Sequence, residues 1–240
     1  MRHYRPLYVT TVKIALFDID GTLLSTRGAG KRAMQTALVD HFGTSGPADY
    51  RYDGKTDKQI ARDLMRASGF DDETIDARMR SVLTQYLQGL RDELTSPDVI
   101  KVHTGVAPLI EALCARTDVV VGLLTGNIED GAHAKLAAAQ LGPHRFRVGA
   151  FGSDDERRDA LPAIAQARAT QLLGTPVNGD ALVIIGDTPN DIACGRGVRA
   201  RAIAVATGHY SVDALSAHEP AAVFADLSDT PRVVEAIVRA

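Results

Sequence analysis

What most constrains this chain is a repeated local event. A short run of β-branched and apolar residues stops abruptly at a carboxylate or a small polar residue. Val12 to Phe17 is such a run, and Asp18 follows it directly. Val119–Leu124 leads into Thr125-Gly126-Asn127, and Leu182–Ile185 leads into Gly186-Asp187-Thr188-Pro189-Asn190-Asp191. Weaker runs occur at Ala202–Val205 and Ala222–Phe224. Runs that are apolar on both faces suit strands covered by helices on either side, the habit of parallel sheets. Helical patterns lie between them, at Val106–Ala115, Asp130–Leu141 and Arg158–Leu173. This alternation predicts an α/β fold with a doubly wound, Rossmann-like parallel sheet.

One stretch breaks the alternation. Residues 25–103 hold helix-like segments at Gly30–Phe42, Lys58–Ser68 and Asp72–Glu93 and no convincing buried strand. Turn signals separate them: Gly43-Thr44-Ser45-Gly46-Pro47, Gly69, and Ser96-Pro97-Asp98. The simplest division is an α/β catalytic core made of residues 1–24 and 104–240, with residues 25–103 inserted as a helical cap. A chain of 240 residues is long enough for both.

Composition narrows the function. The 27 basic and 30 acidic side chains give a net charge of −3, which argues against a general nucleic-acid-binding surface. No apolar run approaches the ~18 residues of a membrane span. The start, Met1-Arg2-His3-Tyr4-Arg5-Pro6, is basic. Lys13, Asp18 and Asp20 break any long apolar stretch behind it, so a secretory leader is not expected. Cys114 and Cys194 make neither a metal pair nor a disulfide framework. A protein of the reducing cytoplasm fits.

In open α/β sheets ligands bind beyond the carboxyl ends of the strands. Two of the three strong runs end in paired carboxylates, Asp18 with Asp20 and Asp187 with Asp191. Carboxylates gathered at one sheet edge repel each other and call for a cation. An all-oxygen set suits Mg²⁺, which takes a few carboxylates, waters and substrate phosphate. Asp18 and Asp20 are spaced so that one can attack an electrophile while the other gives and takes a proton. Thr125 and the amides after it, near a helix start, can hold anionic oxygens. Arg157 and Arg158, just ahead of a helix, are candidate phosphate clamps. Nucleophile, acid, metal and clamp together describe phosphoryl transfer through an aspartyl-phosphate.

These residues carry a family resemblance. Asp18-Ile19-Asp20-Gly21-Thr22-Leu23-Leu24 resembles the first motif of the haloacid dehalogenase superfamily. Thr125-Gly126-Asn127 is similar to its second motif, and Gly186-Asp187-Thr188-Pro189-Asn190-Asp191 to its fourth. The three stand in the family's order across nearly the whole chain. The look is that of phosphoglycolate-phosphatase-like members with a helical cap. The resemblance implies that Asp18 is the nucleophile and Asp20 the general acid and base. It implies a Mg²⁺ held by Asp18, the Asp20 carbonyl and Asp187, with Asp191 supporting the shell or its waters. It also implies that Thr125, Gly126 and Asn127 hold the phosphate of a small phosphomonoester, such as phosphoglycolate or a sugar phosphate. The family's third motif, a Lys or Arg ahead of the helix before the fourth, is matched best by Arg158, because Arg158-Asp159-Ala160-Leu161 opens the helical pattern. His103-Thr104-Gly105-Val106 departs from the Pro-Gly-Val common at the return from the cap.

Other readings compete. A 2-haloacid dehalogenase has no use for an acid at position 20. A phosphomutase resembling β-phosphoglucomutase shares every core motif and differs in its cap. A receiver-like signalling module phosphorylated on Asp is much shorter and lacks a cap. Taken singly, the motifs are weak: Asp-x-Asp-Gly is more often a turn, Asp187 reads as a helix cap, and Asp191 as a solvated residue. Gly28-Ala29-Gly30-Lys31-Arg32 fails as a nucleotide phosphate loop, because position 25 is Ser and position 32 is Arg. His133, His209 and His218 have no ligand spacing. In the cap, Asp53-Gly54-Lys55-Thr56 places Lys55 in a turn that can face the substrate; a solvated turn before an N-cap near Asp57 explains the same residues.

Overall fold

The computed structural model describes residues 12–240. The basic segment Met1–Pro6, weighed above as a leader, lies outside them. In chain order the strands are β1 (Lys13–Phe17), β2 (Leu24–Ser25), β3 (Lys101–Val102), β4 (Val119–Thr125), β5 (Val148–Phe151), β6 (Leu182–Gly186), β7 (Arg201–Val205) and β8 (Ala222–Phe224). The helices are α1 (Ala29–Phe42), α2 (Asp57–Ala67), α3 (Asp72–Leu94), α4 (Val106–Cys114), α5 (Glu129–Ala138), α6 (Leu161–Leu173), α7 (Pro189–Cys194), α8 (Val212–Ser216) and α9 (Thr230–Arg239).

Six strands form one parallel sheet in the order β5-β4-β1-β6-β7-β8. The expected α/β sheet is therefore present. Side chains alternate across the strands, and both faces are buried. Ala15 and Phe17 of β1 join Leu109 and Leu113 of α4, Leu136 of α5 and Ile237 of α9 in one apolar cluster. Ile14 and Leu16, one residue out of phase, join Leu161 and Ala165 of α6 in a second cluster. A polar residue on either face would lose its water without gaining a partner, which is why these runs show no period-2 polarity.

The strand order places the functional loops. The chain builds outward from β1 to β4 and β5, then returns to lay β6, β7 and β8 on the other side. The loops after β1 and β6 therefore diverge from neighbouring strands and open a crevice at their carboxyl ends. β4 flanks β1 on its other edge.

Between β2 and β3, a two-residue antiparallel pair, the chain forms α1, α2 and α3. These helices share their own apolar cluster, with Met34, Leu38, Leu64, Met65, Val82 and Tyr86 buried in it. α2 starts on a Thr56 cap that accepts from the Gln59 amide, and α3 on an Asp71 cap that accepts from the Thr74 amide. The apolar runs in the sequence do not single out β5, and the 25–103 segment shows no convincing buried strand; the pieces found there, Ser25 of β2 and Lys101–Val102 of β3, are not buried. β5 is only four residues long, with a glycine inside it, and β2 and β3 are shorter still. Segments this short carry too few residues for a pattern to show. No helix among the described residues is long and apolar enough to cross a membrane.

Candidate active site

Asp18 follows the last residue of β1, and its backbone amide donates to the Ile185 carbonyl of β6 at 2.9 Å. Strand pairing thus carries the first acidic loop alongside the one that contains Asp187. The chain then turns tightly. The Leu23 amide donates to the Ile19 carbonyl, and the Gly21 amide to the Leu24 carbonyl, both at 2.9 Å. Gly21 sits at φ 85°, and a side chain there would collide with the Asp187 carboxylate. Only glycine admits both the left-handed turn and the close approach. Thr22 closes the junction by donating its hydroxyl to Asp187 Oδ1 at 2.9 Å.

The carboxylates of Asp18, Asp187 and Asp191 are all buried, and one oxygen from each lies within 4.8 Å of the others. Burial, followed by the neighbouring Asp191 and Asp18 charges, pushes Asp187 well above the usual carboxylate range. Burial raises Asp18 as well; the Arg158 guanidinium pulls it back, and Asp191 and Asp20 push it up. Such a group favours a bound cation, which relieves both the desolvation and the repulsion. The three acids differ in what else they do. Asp191 Oδ2 accepts from the Thr188 amide at 3.0 Å and its hydroxyl at 2.7 Å, one half of a capping box for α7. Its Oδ1 accepts from Arg158. Asp191 is therefore saturated by protein donors, whereas Asp18 and Asp187 keep oxygens facing the cavity.

Arg158 is the buried cation beside Asp18 and Asp191. Its Nη2 lies 3.3 Å from Asp18 Oδ1 and also bonds Asp191. Burial works against its charge, but the Asp191 and Asp18 carboxylates outweigh it and push its pKa further up. Arg157 instead points to solvent beside Asp155. Between the two arginines, the structure brings Arg158 to the acids, because residues 158–160 form a tight turn that leads into α6.

Asp20 stands apart from this trio. Its Oδ2 accepts from Lys135 Nζ at 2.6 Å and from Asn127 Nδ2 at 2.8 Å. Lys135 also donates to Asn127 Oδ1 at 2.6 Å, and Asn127 donates to Thr125 Oγ1 at 2.8 Å. The Asp20 side chain is 42% exposed and faces the cavity, while that of Lys135 is only 4% exposed. Lys135 escaped the sequence reading, although a signal was there. Ala132, Lys135 and Leu136 share the buried stripe of α5, and a lysine on such a stripe needs a partner.

The insert docks over these loops. The Asp57 amide donates to the Gly126 carbonyl, and Asp57 Oδ2 accepts from the Ile128 amide, both at 2.8 Å. Thr56 donates its hydroxyl to the Glu156 carbonyl at 2.6 Å. A side chain at Gly126 would strike the Lys55 carbonyl oxygen. Burial lifts Asp57 to about 6, although Lys135 and the Ile128 amide pull the other way. Asp57 was noted in the sequence only as a cap position; its role at the docked surface depends on which loop it meets. Lys55 lines the cavity, yet its ammonium donates to Tyr50 Oη at 2.7 Å and pairs with Asp63 at 3.4 Å. Asp18, Asp20, Thr125, Gly126, Asn127, Lys55, Arg158 and Asp187 all border one cavity of about 500 Å³.

Residues 12–199 match the family described as haloacid dehalogenase-like hydrolase. The chain belongs to this family. It is 27% identical over 221 residues to a 5'-nucleotidase of Pseudomonas aeruginosa, covering 92% of this chain and 94% of that one. Among solved structures it is similar to a hydrolase from Pseudomonas syringae, with a TM-score of 0.70, 21% identity and coverage of 93% and 98% of the two chains. It is also similar to a predicted phosphoglycolate phosphatase from Haemophilus somnus, with a TM-score of 0.69, 17% identity and coverage of 94% and 99%. As a haloacid dehalogenase-like hydrolase, the chain is an enzyme whose fold places strand-end carboxylates at the site just described.

Proposed function

We propose that this hydrolase is a Mg²⁺-dependent phosphatase that cleaves a small phosphomonoester through an aspartyl-phosphate on Asp18. The observation that carries the reading is the division of labour among the acids. Asp18 lies in the buried cluster beside Arg158, whereas Asp20, two residues on, is held apart by Lys135 and Asn127. The arrangement separates a nucleophile from an acid and base.

In the first step, Asp18 Oδ attacks phosphorus in line, and Asp20 delivers a proton to the departing alkoxide. In the second, Asp20 takes a proton from water as that water attacks the aspartyl-phosphate. Thr125 and the Gly126–Asn127 backbone orient the phosphoryl oxygens, and Arg158 offsets the charge that would otherwise repel a carboxylate nucleophile. Asp18, the Asp20 carbonyl and Asp187 would hold Mg²⁺, with Asp191 in support; when bound, the ion neutralises charge on the phosphoryl group. Lys135 keeps Asp20 in one rotamer; Asp20 enters the first step carrying the proton it gives up, and Lys135 then offsets the carboxylate until water returns a proton in the second. Residues 25–103 serve as a cap that excludes water in the first step and opens to release product. Lys55 contacts substrate only if it leaves Tyr50 and Asp63. We place the enzyme in the cytoplasm.

The test is phosphate release from a panel of small phosphomonoesters, with Mg²⁺ and with a chelator. Release that depends on Mg²⁺ and vanishes with chelation supports the reading. Isomerised sugar phosphate without free phosphate would replace it with a mutase, and chloride release from chloroacetate without Mg²⁺ with a dehalogenase.

A further inference from the structure

Three buried side-chain polar atoms have no hydrogen-bond partner among the described residues: Tyr52 Oη, His103 Nε2 and Arg158 Nε. Buried polar groups are nearly always paired, so each unpaired one needs a reason. All three residues line the same cavity. Arg158 belongs to the phosphate end. Tyr52, in the loop before α2, and His103, just after β3, belong to the insert and its return to the sheet. Neither has a part in the two steps above.

The chemistry of the pair is complementary. Burial pushes the Tyr52 phenol up to about 12, so it stays protonated and can donate. Burial and the Lys101 charge lower His103, which favours its neutral imidazole. A neutral imidazole carries one N–H and one lone pair, so the unpartnered Nε2 is free to accept. Two further wall residues, Lys31 and Lys101, have no acidic partner among the described residues. The acids nearby are already engaged: Asp53 with Arg51, and Asp57 with the Ile128 amide. Lys31 Nζ lies 5.3 Å from the Tyr52 ring centre, so one of these charges sits beside the phenol.

We infer that the cavity holds, beyond the phosphate position, a subsite for a leaving group bearing at least one hydroxyl and a second negative charge. His103 accepts from the hydroxyl, Tyr52 donates to an oxygen, and Lys31 and Lys101 attract the charge. The inference rests on the phosphatase reading and narrows its substrate class to phosphorylated hydroxy acids and doubly phosphorylated polyols. A plain two-carbon acid lacks the hydroxyl, and a nucleoside monophosphate lacks the second charge.

The test compares kcat/KM of the full chain for phosphogluconate, sorbitol phosphate (the same chain without the carboxylate), phosphooxyhexanoate (the carboxylate without hydroxyls), AMP and p-nitrophenyl phosphate. Calorimetric binding of the first four to the Asp18→Asn variant repeats the ranking without turnover. The expected result is a preference for phosphogluconate of about tenfold or more over each partial analogue. The Lys31→Gln/Lys101→Gln double variant should erode the margin over sorbitol phosphate, and Tyr52→Phe the margin over phosphooxyhexanoate. Equal kinetics and equal affinity for phosphogluconate and sorbitol phosphate would overturn the subsite, as would a preference for AMP. If no compound releases phosphate but the binding ranking holds, the phosphatase reading falls and the subsite stands. If p-nitrophenyl phosphate is cleaved and the ranking is flat, the reverse applies.

Discussion

The strand-end loops and the helical insert contribute to the same cavity by different physical routes. Asp18, Thr125 and Asp187 each lie at or just past the end of a parallel strand, so sheet pairing alone brings them within reach of one another. Tyr52, Lys55, Asp57 and Tyr86 reach the cavity only because three helices with a separate apolar cluster sit down on the sheet edge. The first group inherits its geometry from backbone hydrogen bonds worth little individually but repeated along each strand. The second depends on a docked surface whose polar contacts can open. The strand-end residues are thus placed by the sheet, and the insert's residues by its docking.

The sharpest way to break this comparison is at the centre. Asp18→Asn is expected to lower turnover by roughly a thousandfold or more, since the nucleophile is lost, while circular dichroism and melting show an intact fold. Appreciable turnover in that variant would remove the nucleophile from the mechanism. Lys135→Met should lower kcat by about ten- to a hundredfold with a smaller change in KM, because Asp20 loses its anchor and counter-charge. Lys135→Arg should recover part of that loss. A parallel fall in stability alone, with kcat intact, would make Lys135 merely structural.

The docked surface is expected to respond more weakly, and through pH. Asp57 titrates at about 6 in the folded chain, above the ordinary range near 4. Between those values the folded state binds a proton that the unfolded state does not. This group therefore adds stability as pH falls from about 6 towards 4, and withdraws it as pH rises. Asp57→Asn should flatten that portion of the stability profile by on the order of 2 kcal/mol, measured by denaturant unfolding at several pH values. An unchanged profile would mean that the carboxylate is better solvated than its burial indicates. The smallest effect belongs to Arg62, which forks to Glu156 at 2.7 Å across the docking line and also pairs with Asp72 and Asp76. Exposed or partly exposed pairs are worth about 0.2–1 kcal/mol each. Arg62→Ala should cost about 1 kcal/mol or less and raise KM a few-fold as the cap docks less firmly. A larger loss in kcat than in KM would move Arg62 from docking to chemistry.

Each region was legible to a different depth. The loop after β1 could be read because Phe17 and Asp18 abut, and an apolar run that ends in a carboxylate has few alternatives at a sheet edge. Arg158 could be separated from Arg157 only by the helical phase that follows, and the structure shows the physical consequence: one is buried against two acids and the other is solvated. Lys135 and Asp57 were harder. An alanine-rich helix hides its buried stripe because alanine is equally common on either face, and Asp57 is an ordinary first-turn acid until its neighbours are known.

The amino-acid sequence determined the class of the sheet and the residue types at the ends of β1, β4 and β6, because runs apolar on both faces and their abrupt termination are local properties of the chain. Tertiary structure decided which acid stays near the cavity and which is capped, which lysine anchors Asp20, and which residues of the 25–103 segment border the cavity. Those outcomes depend on distances between segments up to roughly half a chain apart, such as Asp20 to Lys135 and Asp57 to Ile128. Such distances emerge only when the helices pack.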